Sequence, residues 1–298
     1  MTPAADLQAS AGLRRDAETL AGGLPPLLAA AEHLAASVMM GEHGRRRVGQ
    51  GDEFWQYRPS HAGDEARLID WRRSARAEDS LFVREKEWQA AQSVMIWLDV
   101  GRSMDFASTK SLLTKGNAAR RLALALAILL IRGGERVGLS NAGLPPRTGK
   151  VQLMRLTTAM AESEDATDYA EPRLSGAPPR SRAAMISDFM GEISGVKSAL
   201  TKAADRGITG TLLQVLDPQE EAFPFDGRTI FESVGGTLSH ETLKARDLRD
   251  RYLARLAERK DELDRLCRRT GWQFHTYHTD KPATSALLWV YSALERVH

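Results

Sequence analysis

Short apolar runs alternate with longer amphipathic segments along most of the chain. The apolar runs predict β-strands at Ser93–Trp97, Arg136–Ser140, Ala183–Asp188, Gly210–Leu216 and Trp272–Thr279. Helical spacing of apolar positions predicts helices at Leu24–Met40, Thr109–Arg132, Lys150–Glu162, Ile193–Asp205, Glu241–Arg268 and Ala283–Val297. Buried strands joined by helices favour an α/β fold, in which a mostly parallel, Rossmann-like sheet carries helices on both faces.

The remaining segments complete the predicted organisation. Leu81–Trp88 alternates like a half-exposed strand, Leu144–Pro146 predicts a turn and Ser163–Arg180 a surface loop. The glycine pair 235–236 lies between two short apolar stretches and predicts a small hairpin. The predicted parts are an N-terminal helical region (1–40), a β-containing segment packed on the core (41–92) and the α/β domain with a C-terminal extension (93–298).

Composition excludes several classes of protein. With 298 residues, 42% hydrophobic and 27% charged, the chain has an ordinary globular composition. A formal net charge of +2 provides no global field that would hold the protein on nucleic acid or an anionic membrane. Cys267 is the single cysteine, so we expect neither an intramolecular disulfide nor a cysteine-based zinc site. The longest apolar stretch, Leu122–Ile131, is too short to span a bilayer, and we expect a cytoplasmic protein without a membrane span.

Three of the predicted strands end in an aspartate, namely Asp99, Asp188 and Asp217. The carboxyl ends of parallel strands lie at one edge of a sheet, where α/β proteins bind their ligands. We therefore expect these carboxylates to share one crevice. The first of them opens the pattern Asp99-x-Gly101-x-Ser103, which places a hydroxyl four residues after the carboxylate.

These residues resemble the von Willebrand factor A fold. Its metal-ion-dependent adhesion site combines Asp-x-Ser-x-Ser after the first strand with a threonine from a middle loop and an aspartate after a later strand. Asp99 and Ser103 match the first element, Asp188 matches the late aspartate, and Thr148 is the candidate threonine. The resemblance implies Mg²⁺, a cation that prefers oxygen ligands.

Gly101 stands where this motif has its first serine, and it leaves two alternatives open. In one, water fills the missing position and the site keeps Mg²⁺. In the other, the site is empty of metal, and Arg102 or another cation balances the aspartates. Replacement of Gly101 by serine restores the missing hydroxyl, and we expect it to raise metal affinity if the rest of the site is intact.

The preceding segment narrows the resemblance to the bacterial domain-of-unknown-function family 58. The family signature is matched by Gly49–Phe54 (GQGDEF), Tyr57-Arg58, Gly63-Asp64, Arg67–Trp71 (RLIDW) and Ser74–Arg76 (SAR). The chain departs from it at Gly101, and at Tyr57-Arg58, where members usually have an arginine before the aromatic residue. Members are thought to accompany MoxR-type AAA ATPases, so the resemblance implies an adaptor in complex assembly or maturation.

We therefore expect a non-enzymatic adaptor whose partner surface is the crevice around Asp99, Ser103 and Asp188, flanked by Gly49–Arg76. The sequence has no Walker-type phosphate loop, so ATPase activity would belong to the partner. The alternatives are a metal-dependent hydrolase that uses the same carboxylates and a nucleic-acid-binding module that uses arginines 45–47, 72, 73 and 76. The dense charges of this segment also fit structural ion pairs and helix caps.

Overall fold

A computed structural model describes residues 25–41, 54–60, 69–76, 81–86, 91–163, 167–227, 229–232, 239–242 and 246–295 of the chain. Two compact units are present, a main unit (Met1–His43 and Gln92–His298) and a small unit (Gly44–Ala91). The predicted three-part division, and the predicted packing of residues 41–92 on the core, stay predictions.

The helices and strands follow one another in the order expected of an α/β protein. In chain order they are α1 (Pro25–Gly41), β1 (Phe54–Pro59), α2 (Trp71–Ser74), β2 (Phe82–Lys86), β3 (Ser93–Leu98), a 3₁₀ turn (Arg102–Asp105), α3 (Lys115–Arg132), β4 (Arg136–Leu139), β5 (Leu144–Arg147), α4 (Lys150–Glu162), β6 (Arg182–Ser187), α5 (Ile193–Asp205), β7 (Thr209–Leu216), α6 (Pro218–Ala222), β8 (Thr229–Glu232), β9 (Ser239–Thr242), α7 (Arg246–Thr270), β10 (Gln273–His278) and α8 (Ala283–Glu295).

The main unit is built on a six-stranded sheet with the strand order β10-β7-β6-β3-β4-β5. All neighbouring strands in it are parallel except β5, which runs antiparallel to β4 at one edge. The predicted α/β fold with a mostly parallel sheet is therefore confirmed. Because β3, β6 and β7 are adjacent and parallel, the residues that follow them share one edge of the sheet.

Helices cover both faces of this sheet. Along β3, Val94 and Ile96 pack into an apolar cluster with α1, α3 and α8, whereas Met95 and Trp97 pack into a second cluster with α5 and α7. Successive side chains of a strand point to opposite faces, which explains this division. In α3 every residue from 122 to 130 is buried, as expected for a helix that is apolar on all sides.

Two elements differ from the predicted ones in a way that matters for the site. Pro145 and Pro146 indicated a turn but lie in β5, because an edge strand tolerates residues that lack an amide donor. The helix predicted from Thr109 begins instead at Lys115, because Thr114 Oγ1 accepts a hydrogen bond from Asn117 N over 3.2 Å and caps it there.

The small unit contains the antiparallel pair β1 and β2 and the short helix α2. Asp70 caps α2, since its Oδ1 accepts hydrogen bonds from Arg72 N over 3.1 Å and from Arg73 N over 3.0 Å. Ser74 Oγ donates to Asp70 O over 2.8 Å and accepts from Phe82 N over 2.9 Å. Asp70 and Ser74, both from the signature segment, thus hold the local backbone together.

Candidate functional site

Asp99, Asp188 and Asp217 follow β3, β6 and β7 at the carboxyl edge of the sheet, where the parallel strands were expected to bring them. All three are buried, with exposed fractions of 2%, 1% and 0%. Asp99 N donates to Ile186 O over 2.9 Å, so the pairing of β3 with β6 continues into the site. Buried carboxylates are costly unless donors or cations compensate them, so their partners define the chemistry of this edge.

Asp99 is held by donors from its own loop and from β6. Its Oδ1 accepts a hydrogen bond from Gly101 N over 2.8 Å, and its Oδ2 accepts one from Ser187 Oγ over 2.6 Å. Burial and the negative charge of Asp188 raise the pKa of Asp99 from 3.8 to about 6, although these hydrogen bonds act against the rise. At neutral pH the site therefore contains an anion that the surrounding protein stabilises only in part.

Asp188 has a full positive charge beside it. Lys115 Nζ donates to Asp188 Oδ2 over 2.9 Å and to Glu220 Oε1 over 2.6 Å. It also lies 5.9 Å from the centre of the Phe106 ring, within the range of a cation–π contact. Burial alone would lower the pKa of Lys115, but the charges of Asp188 and Glu220 outweigh it and raise that pKa above its usual value. The lysine is therefore an ammonium ion.

Glu220 connects this ion pair to the third aspartate. Its Oε2 accepts a hydrogen bond from Asp217 N over 2.8 Å, while Asp217 Oδ1 accepts from Gln219 N over 2.9 Å in a capping box. The other oxygen of Asp217 accepts from Ser108 N over 2.8 Å, in the loop that precedes α3. The ends of β3, β6 and β7 and the start of α3 thus form one network of buried charges and hydrogen bonds.

A cavity of about 430 Å³ opens beside Asp99. It lies between the loop of residues 167–172 and the start of α5, and Asp99 and Ser187 form part of its wall. The described lining residues are Asp99, Thr167, Asp168, Tyr169, Ala170, Glu171, Pro172, Ser187, Phe189, Gly191, Glu192, Ser194, Gly195 and Val196. The cavity is the open part of the crevice, and the Lys115 network lies beneath the surface next to it.

Two glycines set the width of this cavity. A Cβ atom at Gly191 would lie 2.8 Å from Tyr169 Cβ, and one at Gly195 would lie 3.1 Å from Glu171 Cγ. Only a residue without a side chain lets the loop approach α5 so closely. Phe189 lies in the chain between β6 and these two glycines. It is buried and adopts a positive φ of 51°, which is uncommon for a residue with a side chain. Such strained backbone is often found at binding sites.

The structure brings three of the four predicted metal ligands to this edge. Ser103 lies in the 3₁₀ turn after β3, and its buried Oγ has no hydrogen-bond partner among the residues described. Thr148 does not lie at this edge. It follows the antiparallel strand β5, whose Arg147 pairs with Val137 at the start of β4, so Thr148 is exposed at the opposite edge of the sheet from Asp99.

Sequence reasoning missed two residues of the crevice. Thr167 lines the cavity, and its carbonyl oxygen accepts a hydrogen bond from Arg102 N over 2.9 Å, so the threonine near Asp99 comes from the loop before β6. Lys115 is the first residue of α3. Helix N-termini favour anions, so a lysine at the start of an apolar helix was the available signal for a special role.

Several features of the crevice act against a Mg²⁺ site. Gly101 supplies no side-chain oxygen, and a Cβ there would lie 2.9 Å from Ala170 N and 3.0 Å from Asp168 O. The 167–170 backbone thus fills the space that a serine would need. In the described part of the chain, no group of three or more His, Cys, Asp or Glu is arranged to hold a metal. Arg102, named above as a balancing cation, is exposed, whereas Lys115 balances Asp188.

The arginines of the nucleic-acid alternative lie only partly within the described residues, and β10 carries two histidines that have contacts of their own. Arginines 45–47 lie outside the described residues, and Arg73 places its guanidinium 5.4 Å from the centre of the Phe82 ring. His275 stacks on Trp289 at 4.8 Å, and His278 contacts Glu221. The predicted position of Gly49–Arg76 beside the crevice stays a prediction.

Two of the solved structures that match part of this chain come from Bacteroides. One is described as an aerotolerance-related membrane protein from Bacteroides fragilis, with a TM-score of 0.41 and 14% identity over 68% of this chain and 98% of that chain. Another is the conserved hypothetical protein BatB from Bacteroides thetaiotaomicron, with a TM-score of 0.36 and 15% identity over the same shares. The description of the first as a membrane protein contradicts the predicted cytoplasmic location, which is withdrawn. Among the helices described here, none has the length and apolar character needed to cross a bilayer.

Curated relatives and a family model place the chain more closely. The uncharacterized proteins Rv1480 of Mycobacterium tuberculosis and Mb1516 of Mycobacterium bovis are each 26% identical to it over 282 residues, which cover 89% of this chain and 87% of theirs. The model of the family described as "Protein of unknown function DUF58" matches residues 56–262, well over half of the chain. The resemblance seen in the signature segment is thereby confirmed, and the chain belongs to the DUF58 family.

Proposed function

We propose that this chain is a non-enzymatic protein-interaction domain and that the cavity beside Asp99 is its partner surface. The observation that carries the proposal is the cavity itself. It lies at the carboxyl edge of a mostly parallel sheet, the usual ligand position in such folds, and a partly stabilised buried carboxylate forms part of its wall. A partner that brings hydrogen-bond donors to this wall would further stabilise the Asp99 carboxylate.

The bonding of the carboxylates supports an interaction role over catalysis. Both oxygens of Asp99 accept hydrogen bonds, from Gly101 N and Ser187 Oγ. Both oxygens of Asp188 do so as well, from Met190 N and Lys115 Nζ. A general base must have an oxygen within hydrogen-bond reach of a substrate proton, and each of these oxygens already accepts one bond from the protein. Side chains that are oriented in this way by their own chain are suited to shaping a surface.

The charge of the cavity indicates the chemistry of the partner. Asp168, Glu171 and Glu192 lie around it, and the lining residues described above include no lysine or arginine. Complementary charge steers association, so a partner segment with basic or hydrogen-bond-donating side chains is favoured. The partner we propose is a MoxR-type AAA ATPase, as the family resemblance implies, with this chain as its adaptor in complex assembly or maturation.

A direct binding measurement tests the partnership. The purified chain and a purified MoxR-type AAA ATPase from the same genome are titrated by calorimetry at two salt concentrations. We expect saturable binding that weakens as salt rises, because charges at the cavity contribute to it. Absence of binding at both salt concentrations would contradict the proposed partner. Turnover of a substrate by the purified chain alone, lost when its carboxylates are replaced, would favour the hydrolase alternative instead.

A further inference from the structure

The side chain of Lys115 is fully buried, and only 2% of its surface is exposed. Lysine is almost never fully buried unless it is paired, because transferring an ammonium ion from water is costly. It also stands at the N-terminus of α3, where the helix dipole disfavours a cation. Burial and the helix dipole both disfavour the ammonium ion, and the carboxylates of Asp188 and Glu220 compensate for these costs.

The site around the ammonium group is rigid. Asp188 Oδ2 and Glu220 Oε1 accept its hydrogen bonds over 2.9 and 2.6 Å. The remaining oxygen of each carboxylate is fixed by a backbone amide, Met190 N for Asp188 and Asp217 N for Glu220. The backbone amides thus orient each carboxylate so that its other oxygen faces the lysine. The arrangement resembles a coordination site whose cation is covalently attached to the protein.

The same carboxylate is the one that a divalent cation would use in an adhesion-type site. Mg²⁺ lies about 2.1 Å from its oxygen ligands, so a Mg²⁺ ion on Asp188 Oδ2, which already accepts from Lys115 Nζ over 2.9 Å, would lie close to a second cation and be repelled by it. On the other side of the crevice, the backbone at Ala170 and Asp168 lies too close to Gly101 for the missing serine.

We propose that the Lys115 ammonium replaces the divalent cation of this crevice, and that the native protein binds no Mg²⁺ there. The crevice thereby keeps a fixed counter-charge to Asp188 and Glu220 whatever the concentration of divalent cations. This inference goes beyond the proposed function, because it concerns the state of the crevice whether or not a partner binds to it.

The first test uses the unaltered protein. Its melting temperature is measured in EDTA, in Mg²⁺ and in Mn²⁺, and Mn²⁺ is also titrated into the metal-free protein by calorimetry. We expect equal melting temperatures and no saturable heat of binding. An occupied site at a large excess of metal raises the melting temperature by several degrees. Such a rise, or a saturable heat of Mn²⁺ binding, would overturn the proposal.

The second test removes the built-in cation. Lys115→Met keeps the length of the side chain but leaves Asp188 and Glu220 facing each other without a cation, and exposed Lys110→Met is the matched control. We expect the melting temperature of Lys115→Met to lie about 10 °C or more below that of the control. Equal stability of the two variants would show that the charge is not needed and would overturn the proposal. If Lys115→Met does not fold, the metal titrations of the unaltered protein still decide.

Discussion

Ser187 Oγ donates a hydrogen bond to Asp99 Oδ2 over 2.6 Å and joins the ends of β6 and β3 at the wall of the cavity. The same hydroxyl oxygen accepts a hydrogen bond from Phe189 N over 2.9 Å. One serine therefore orients the buried carboxylate and fixes the strained residue that leads toward α5. The shape of the cavity and the charge in its wall depend on this contact.

Replacement of Ser187 by alanine removes both interactions. It leaves Asp99 Oδ2 without this donor and the buried amide of Phe189 without this acceptor. We expect the free energy of unfolding to fall by about 1–3 kcal/mol, as measured by urea denaturation. Ser194→Ala, at an exposed position of α5 in the same cavity, is the control and should change stability by less than about 0.5 kcal/mol. Equal effects of the two changes would contradict the structural role of Ser187.

The pKa of Asp99 makes stability depend on pH. The native protein holds the Asp99 proton up to about pH 6, whereas the unfolded chain releases it near 3.8. Between these values the native state binds more protons, so the unfolding free energy contributed by Asp99 falls as pH rises, by about 3 kcal/mol in all. In Asp99→Asn this contribution is absent.

Urea denaturation of both proteins between about pH 4 and pH 7 measures the effect. The stability of the unaltered protein relative to Asp99→Asn should decrease across this range, since only the former loses a proton from this site. Asp105→Asn, which changes an exposed carboxylate of the same loop, serves as the control and should follow the unaltered protein. A difference between Asp99→Asn and the unaltered protein that does not vary with pH would contradict the raised pKa.

A glycine is required at position 101 because the neighbouring backbone leaves no room for a side chain. Its φ of −65° is open to any residue, but an added Cβ would lie 2.9 Å from Ala170 N and 3.0 Å from Asp168 O. We expect Gly101→Ser to lower the unfolding free energy by about 1–3 kcal/mol, because the 167–170 backbone must move. The gain in metal affinity anticipated for this change from the sequence is accordingly no longer expected.

Chemical denaturation of Gly101→Ala and Gly133→Ala separates crowding from the general effect of removing a glycine. At Gly133 the nearest atom to an added Cβ is 3.4 Å away, an ordinary contact. Gly133→Ala should therefore be nearly neutral, while Gly101→Ala should lose about as much stability as Gly101→Ser. A fully stable Gly101→Ala would show that the loop has more room than its backbone positions indicate.

The edge of the sheet was predictable from the sequence because it depends on local pattern. A short apolar run that ends in aspartate indicates both a buried strand and the position of its carboxyl end, and this holds for Asp99, Asp188 and Asp217. Thr148 was misplaced because a sequence does not show the direction in which a strand runs. Pro145 and Pro146 indicated a turn, although they lie in an edge strand. Because this strand is antiparallel to β4, Thr148 lies at the opposite edge of the sheet from Asp99.

The partners of Lys115 were not predictable from local pattern because they are distant in sequence. Asp188 lies 73 residues away and Glu220 lies 105 residues away, and only the sheet order brings them to the start of α3. Composition and spacing indicate that aspartates at a strand end need a cation. They do not indicate which of the many basic residues supplies it.

The structure also changes which substitutions can test the partner surface. Asp188→Ala would leave the buried ammonium of Lys115 without one of its two carboxylates, so loss of binding could reflect loss of the fold. Ser194 is a better position, because it is exposed, lines the cavity and lies on a regular helix. A tryptophan at Ser194 fills the mouth of the cavity without disturbing the buried network.

The most direct test of the central claim, that the cavity beside Asp99 is the partner surface, is the affinity of Ser194→Trp for the MoxR-type AAA ATPase, measured by calorimetry. Thr148→Trp, at the exposed opposite edge of the sheet, is the matched control. We predict that Ser194→Trp melts like the unaltered protein and binds the ATPase at least about tenfold more weakly, a change of about 1.4 kcal/mol, whereas Thr148→Trp binds normally. Unchanged binding by a folded Ser194→Trp would contradict the claim.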